Sequence, residues 1–513
     1  MAVVCSLLIS VTSIAEARRP DGRRLLQAEH SHDQVSPALE ARMQQGAEHN
    51  IAMLQARNEL LPLQSGTKQL NGLVWPLGPV PGAGVDWHAI SGFVDLDPAF
   101  PNQVRDYTCS NRSYDTAAGY NHRGVDIIPW PFAWDLMDAS AVDVLAAAPG
   151  QLIEKVDGAP DRSCSWDGPD IMNYVIVLHA DGTIARYLHM KAGTVTTRPI
   201  GAPIAAGEYL GKVGSSGISK LPHLHFELRR SNAVNAGTIE AFSGACNTAP
   251  PANWASQRPY RDSALNRLST HSAEPEFPTC PDTIDRPHFK NRFVAGDPIT
   301  FGAAYRDQGR GQLTTFRVLR PDASVFSSWT FDVAEEPGTA EYYSGTFWNW
   351  NQTLPPDAPV GTWTFEATYL GTVSRHSFTV SAAANTVIAD PRGLIGAWFE
   401  PATSGQGFDL HWLDGDVLLV FFYGHHDDGS NLFLIGTHNG APRYGVAIDM
   451  AMTETRGGRF NALDPAAIRR QPWGTLRLTV NNCASARAEL TGADGNSVLS
   501  LQRLGRTPGL DCD

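Results

Sequence analysis

The sequence predicts a mainly β protein of several domains: an antiparallel β-sheet domain, an immunoglobulin-like β-sandwich and a C-terminal β domain, preceded by a short helical N-terminal segment. Three observations carry this. The chain has 513 residues, more than one hydrophobic core holds, so roughly two to four domains are expected. Gly (47) and Pro (35) are both plentiful, while long helical patterns are scarce, which favours strands joined by turns. From residue 73 onward, short apolar–polar alternations separated by turn residues recur throughout the chain.

The elements follow in order. Residues 1–17 hold an apolar run closed by Ala15-Glu16-Ala17, a small-residue cleavage pattern that resembles a secretory signal. No Lys or Arg precedes the run, and a short buried helix is the competing reading. Residues 18–70 are polar, with Ala38, Leu39, Met43, Ala47, Ile51, Leu54 and Leu60 recurring at helical steps over 37–61. A propeptide, a spacer and a docking helix all fit this segment. Residues 72–265 read as an antiparallel β domain, in which Asp181-Gly182 between two apolar runs marks a hairpin. Residues 285–383 alternate in the manner of a sandwich, "AAANTVIADPRG" reads as a linker, and residues 394–513 form a last β domain, sandwich or barrel.

Charge and cysteine narrow the function classes. The net charge is −13 and no basic run occurs after the first twenty-five residues, which argues against nucleic acid as a partner. No later run approaches the roughly 18 apolar residues of a membrane span. Besides Cys5, six cysteines remain, an even number that suits disulfides in an exported chain, secreted or periplasmic. Nearest-neighbour pairing gives Cys109–Cys164, Cys246–Cys280 and Cys483–Cys512. No C-x-x-C occurs, so neither a thiolate zinc site nor a redox motif is indicated.

The chemistry gathers in three short stretches. In "PHLHFEL" (222–228), His223 and His225 stand at i and i+2, so on a strand both face one side while Leu224 and Phe226 face the other. In "GYNHRGVDI", His122 and Asp126 are four apart, but Gly124 and the β-branched residues around it argue for a turn feeding a strand rather than a helix. "ARYLHM" adds His189. Each alone reads as ordinary packing or turn chemistry. Together they supply His122, Asp126 and His225 as three zinc-type ligands with an open fourth position, the layout of a catalytic site, and leave His189 and His223 to work on a bound water. There is no H-E-x-x-H helix to provide a Glu base.

His122-x-x-x-Asp126, Tyr187-Leu188-His189, and 211–217 leading into His223-Leu224-His225-Phe226-Glu227 together resemble the lysostaphin-type and β-lytic zinc metallopeptidases over about residues 75–240. The resemblance implies a duplicated hybrid motif fold, one Zn²⁺ on His122, Asp126 and His225, and base and oxyanion-stabilising roles for His189 and His223. It further implies endopeptidase action on peptidoglycan cross-links or stem peptides. Two alternatives stand beside this: a protease of Gly-rich proteins such as elastin, and an inactive wall-binding or activator module, which typically loses zinc ligands. A propeptide in residues 18–70 would make their removal activating. The loops around Cys109 and Cys164 and "PWPFAWDLMDAS" exceed the family core and suggest cleft-shaping insertions. Glu227 reads as a supporting residue. "HHDDG" (425–429) reads as a hairpin turn; "FWNW", Trp398 and Trp412 read as packing aromatics; His30 and His32 are weaker candidates for a latent zinc contact.

Overall fold

The computed structural model describes residues 26–27, 33–63, 70–80, 87–166, 168–233, 236–248, 253–337, 340–381, 388, 390–403, 405–458, 464–505, 510 and 512. The signal-like residues 1–17, His30, His32 and most of the expected linker lie outside them.

The chain is mainly β, with two α-helices among the described residues, α1 (Pro37–Ala56) and α2 (Ala133–Asp138). An eight-stranded antiparallel sheet forms the N-terminal unit. Its central strands run in the order Gly150–Val156, Tyr174–Leu178, Ile184–Leu188, Leu224–Arg229, Val125–Pro129, His88–Gly92. A three-stranded sheet covers one face through Leu77, Val142, Val144 and Leu210, which pack on Val125, Ile127, Leu224, Phe226 and Leu228. On the opposite face, α1 lays Leu39, Met43 and Ala47 against Ile153, Ile176, Ile184 and Leu188. Ser36 starts this helix by accepting a hydrogen bond from Leu39 N at 3.0 Å, with Pro37 at its first position.

The helix also carries charge into the interior. Glu40, 4% exposed, accepts from Arg186 Nη1 at 2.9 and 3.0 Å and from both terminal nitrogens of Arg229 at 2.6 and 3.0 Å. Glu227 accepts from Arg229 Nε at 2.7 Å. Two buried guanidinium groups are thus matched by two carboxylates, one of them supplied by α1. Such burial is tolerable only with paired, hydrogen-bonded partners.

The next unit is a sandwich of a four-stranded and a five-stranded sheet around an aromatic core that includes Phe301, Phe316, Trp348, Trp350, Trp363 and Phe365. Its first core strand is Ala264–His271, paired along the whole of its length with Pro298–Gly309. The sandwich therefore begins before residue 285. This strand lacks clean alternation because its outer side meets the first unit: Asn266 Nδ2 donates to His88 O at 2.8 Å, and Arg112 pairs with Asp307 at 2.6 Å with both side chains 3% exposed. The "PWPFAWDLMDAS" insertion builds the same contact, with Trp130, Phe132 and Ala133 packed on Ala304 and Phe347.

The last unit is a closed barrel of eight sequential antiparallel strands, which decides between the two expected architectures. Trp398, Phe408, Val420, Leu434, Met452 and Leu478 fill its interior. Its outward face is mixed, with Asp409, His411 and Thr437 beside Leu419, Phe421 and Phe433. No described helix is long and apolar enough to cross a membrane.

The disulfides correct the nearest-neighbour pairing at two of three bridges. Cys109 joins Cys246, Cys164 joins Cys280, and Cys483 joins Cys512. Chain proximity failed because the Cys109 loop folds back over residues 242–247, where Cys246 N donates to Tyr107 O at 2.9 Å.

Candidate metal centre

Asp126 and His225 occupy directly opposed positions on neighbouring antiparallel strands. Their flanking residues Val125, Ile127, Leu224 and Phe226 point into the core, so alternation turns both polar side chains to the other face. His122 joins them from the turn that feeds the Asp126 strand. His122 Nε2 lies 3.0 Å from Asp126 Oδ1, His225 Nδ1 lies 3.0 Å from the same oxygen, and the two nitrogens are 3.2 Å apart. All three residues have 0% exposure. Gly124 makes room for this: a Cβ there would stand 2.6 Å from His225 Nε2 and 2.7 Å from Phe226 O.

This donor set fits a zinc ion. His122 Nδ1 sits 2.7 Å from Phe93 O. A carbonyl only accepts, so Nδ1 carries the proton and Nε2 turns a lone pair inward. With Nδ1 committed to Phe93 O, His122 Nε2 faces the Asp126 carboxylate at 3.0 Å, an arrangement that a shared cation satisfies. Tetrahedral zinc with Zn–N and Zn–O bonds of about 2.0–2.1 Å separates its ligand atoms by about 3.3 Å, close to the three observed edges. These residues form the one group among the described residues with three such donors in mutual reach.

His189 and His223 flank the triangle, both at 0% exposure. His189 Nδ1 donates to Ser216 O at 2.7 Å and His223 Nδ1 to Leu221 O at 2.8 Å. Their ring centroids are 4.5 Å apart, and His223 Nε2 is 3.8 Å from Asp126 Oδ1. Each imidazole is oriented through Nδ1 by a backbone carbonyl, which turns its Nε2 edge toward the triangle side of the ring. His189 has φ 60°, a left-handed backbone rare for a residue with a Cβ and typical of functional positions.

Two contributors escaped sequence reasoning. Tyr114 stacks on His122 with centroids 4.4 Å apart, and its hydroxyl donates to Asp126 Oδ2 at 3.3 Å. It comes from the Cys109 loop and carries no motif. Gly124 was visible in the sequence only as a helix breaker. Glu227 turns away to Arg229: burial alone would raise its pKa, but Arg229, Arg186 and His225 outweigh that and hold the carboxyl below its ordinary range.

The weaker candidates settle elsewhere. Residues 426–430 form the turn between two barrel strands, and Trp348, Trp350 and Trp398 are core residues.

The model of peptidase family M23 matches residues 121–236, which hold His122, Asp126, His189, His223 and His225 but not Tyr114. Over 114 residues the chain is 32% identical to the cell division protein DipM of Caulobacter vibrioides, covering 20% of this chain and 18% of that protein. Over 97 residues it is 33% identical to the DD-carboxypeptidase/endopeptidase Mpg of Neisseria meningitidis, covering 19% of this chain and 22% of that one. The chain thus spans about a fifth of the length of these relatives. A solved catalytic domain of a mutant of the prophage-encoded M23 protein EnpA from Enterococcus faecalis aligns at 21% identity and TM-score 0.19, over 32% of this chain and 93% of that one. Residues 121–236 are a peptidase M23 domain, of the lysostaphin-type family.

Proposed function

We propose that the protein is a zinc-dependent endopeptidase that cleaves peptide bonds in peptidoglycan cross-links or stem peptides outside the cytoplasm. The observation that carries this reading is the convergence of His122 Nε2, Asp126 Oδ1 and His225 Nδ1 within 3.0–3.2 Å, inside an M23 domain. Zinc held by these atoms supplies Lewis acidity at the scissile carbonyl and lowers the pKa of a bound water to about 7. The chain's own residues do the rest. His189 and His223, each fixed through Nδ1, present Nε2 atoms: a neutral ring takes the proton of the attacking water, and a protonated ring donates a hydrogen bond to the developing oxyanion. Tyr114 holds the second carboxylate oxygen and keeps Asp126 from rotating.

Substrate choice rests on the relatives: one is described as a DD-carboxypeptidase/endopeptidase and another as a cell division protein. The three disulfides suit an oxidising compartment. The second reading, a protease of Gly-rich proteins such as elastin, uses the same mechanism. Digestion of peptidoglycan and elastin side by side, with fragments read by mass spectrometry, separates the two. New peptide termini in peptidoglycan support the proposal; cleavage of elastin alone favours the alternative; no product from either substrate by zinc-loaded protein points to the inactive module.

A further inference from the structure

All five candidate residues are at 0% exposure, so a polypeptide reaches them only after something now in place has moved. Next to the site is the two-residue strand Ile218–Ser219. It lies between Ser216, whose carbonyl holds His189, and Leu221, whose carbonyl holds His223. One side of this strand is bonded by the Cys164 loop, where Ser165 N donates to Ser219 O at 3.1 Å. The other pairs with the chain's own Asp33–Gln34, Gln34 opposite Ile218 and Asp33 opposite Ser219, antiparallel. Two residues further on, Ser36 begins α1.

The geometry points to a peptide-docking edge: an extended substrate peptide adds to Ile218–Ser219 as an antiparallel strand, and Asp33–Gln34 holds that edge as an internal stand-in. This rests on the peptidase reading and names how the same site takes its substrate. Strand addition needs only backbone groups, so it accepts an extended peptide of any side chains that the cleft admits. Adjacent strands lie about 4.8 Å apart, which sets the docked backbone beside the segment that orients both proton-carrying histidines. The stand-in pairs with the edge over two residues only, between two held flanks: Leu26–Gln27 pairs with Phe347 and Thr346 ahead of it, and Val35 behind it is buried in the core. The helix behind it is anchored through Glu40, Arg186 and Arg229. The short Asp33–Gln34 pairing can therefore open while α1 and Val35 stay in place.

The test uses full-length protein with Asp33→Pro and Gln34→Pro together, which removes both leader amide donors and spares Ser36. The probe is a fluorescent peptide with the sequence of residues 29–34 in which both histidines are alanine, so no imidazole reaches the metal. The double variant should bind it at least tenfold more tightly than the wild-type chain. It should also hydrolyse peptidoglycan peptides at least fivefold faster, at unchanged zinc content and melting temperature. Adding Ile218→Pro should abolish the gain in peptide binding. Equal peptide binding by wild type and double variant, or binding that survives Ile218→Pro, overturns the proposal. Tighter binding without hydrolysis by either chain supports the docking edge and counts against the peptidase reading instead.

Discussion

The sheet that carries His225 and the C-terminal barrel are both antiparallel, and both place a histidine among carboxylates. At the barrel rim, His426 Nδ1 meets Asp494 at 2.9 Å and Nε2 meets Glu454 at 3.3 Å. Both ring nitrogens face carboxylates, and the hydrogen bond to Asp494 raises the pKa of the imidazole, while Arg456 Nη2 stands 3.1 Å from Nε2. Asp494 is also taken by Trp473 Nε1 at 2.6 Å, and Glu454 by Arg456 and by Gln471 at 3.2 Å. The rim closes on itself. In the M23 domain, Phe93 O engages Nδ1 of His122, and Nε2 faces Asp126 Oδ1 together with His225 Nδ1. Composition is similar in the two places. What differs is that only in the M23 domain do three metal-type donor atoms converge on a common point among the described residues.

Ligand substitution should break this contrast most strongly. His225→Ala or Asp126→Ala is expected to lose bound zinc and at least ~10³-fold in kcat/KM, while His426→Ala leaves both within about twofold. Metal analysis and a peptidoglycan assay read both sides. Next come the flanking imidazoles: His189→Ala and His223→Ala should retain zinc and lose roughly 10²–10⁴-fold in kcat, and a wild-type rate in either variant removes that residue from the mechanism.

Glu40→Ala should then cost about 3–5 kcal/mol of stability by leaving Arg186 and Arg229 buried without their carboxylate, measured by denaturant unfolding. For the same reason removal of residues 18–70 should unfold the M23 domain rather than activate it, which confines any propeptide role to the chain ahead of α1. Tyr114→Phe should weaken zinc binding about tenfold or more through the freed Asp126 oxygen, seen in competition with a chelator.

The smallest effect concerns pH, and its sign differs between regions. In the sandwich, burial lowers the pKa of His271 to about 3 and of His376 to about 4. The unfolded chain binds these protons from about pH 6.5 downward, so their contribution is intact above that value and is lost as pH falls toward the folded values. His426 behaves oppositely: its folded pKa is raised, so its contribution is full below about pH 6.5 and is lost as pH rises through the folded value. Scanning calorimetry from pH 5 to 8 should show the sandwich transition rising and the barrel transition falling.

The convergence of His122, Asp126 and His225 was legible because each half is a local pattern: H-x-H on a strand puts two rings on one face, and a glycine-broken H-x-x-x-D reads as a turn feeding a strand. Tyr114 was not legible, since it arrives from an insertion whose position is set by packing and by the Cys109–Cys246 bridge. Glu40 lay hidden for another reason. A lone acid on a polar helix reads as solvated, and only the sheet's two inward arginines, far along the chain, make it a buried partner. The start of the sandwich at Ala264–His271 escaped because that strand is covered on both sides and loses its alternation.

Zinc stoichiometry across three full-length proteins tests the central claim most directly. Wild type and His189→Ala should each hold about one zinc per chain after purification, and His225→Ala should hold almost none. Zinc retained in His225→Ala, or a metal-free wild type that still cleaves peptidoglycan peptides, would contradict the account.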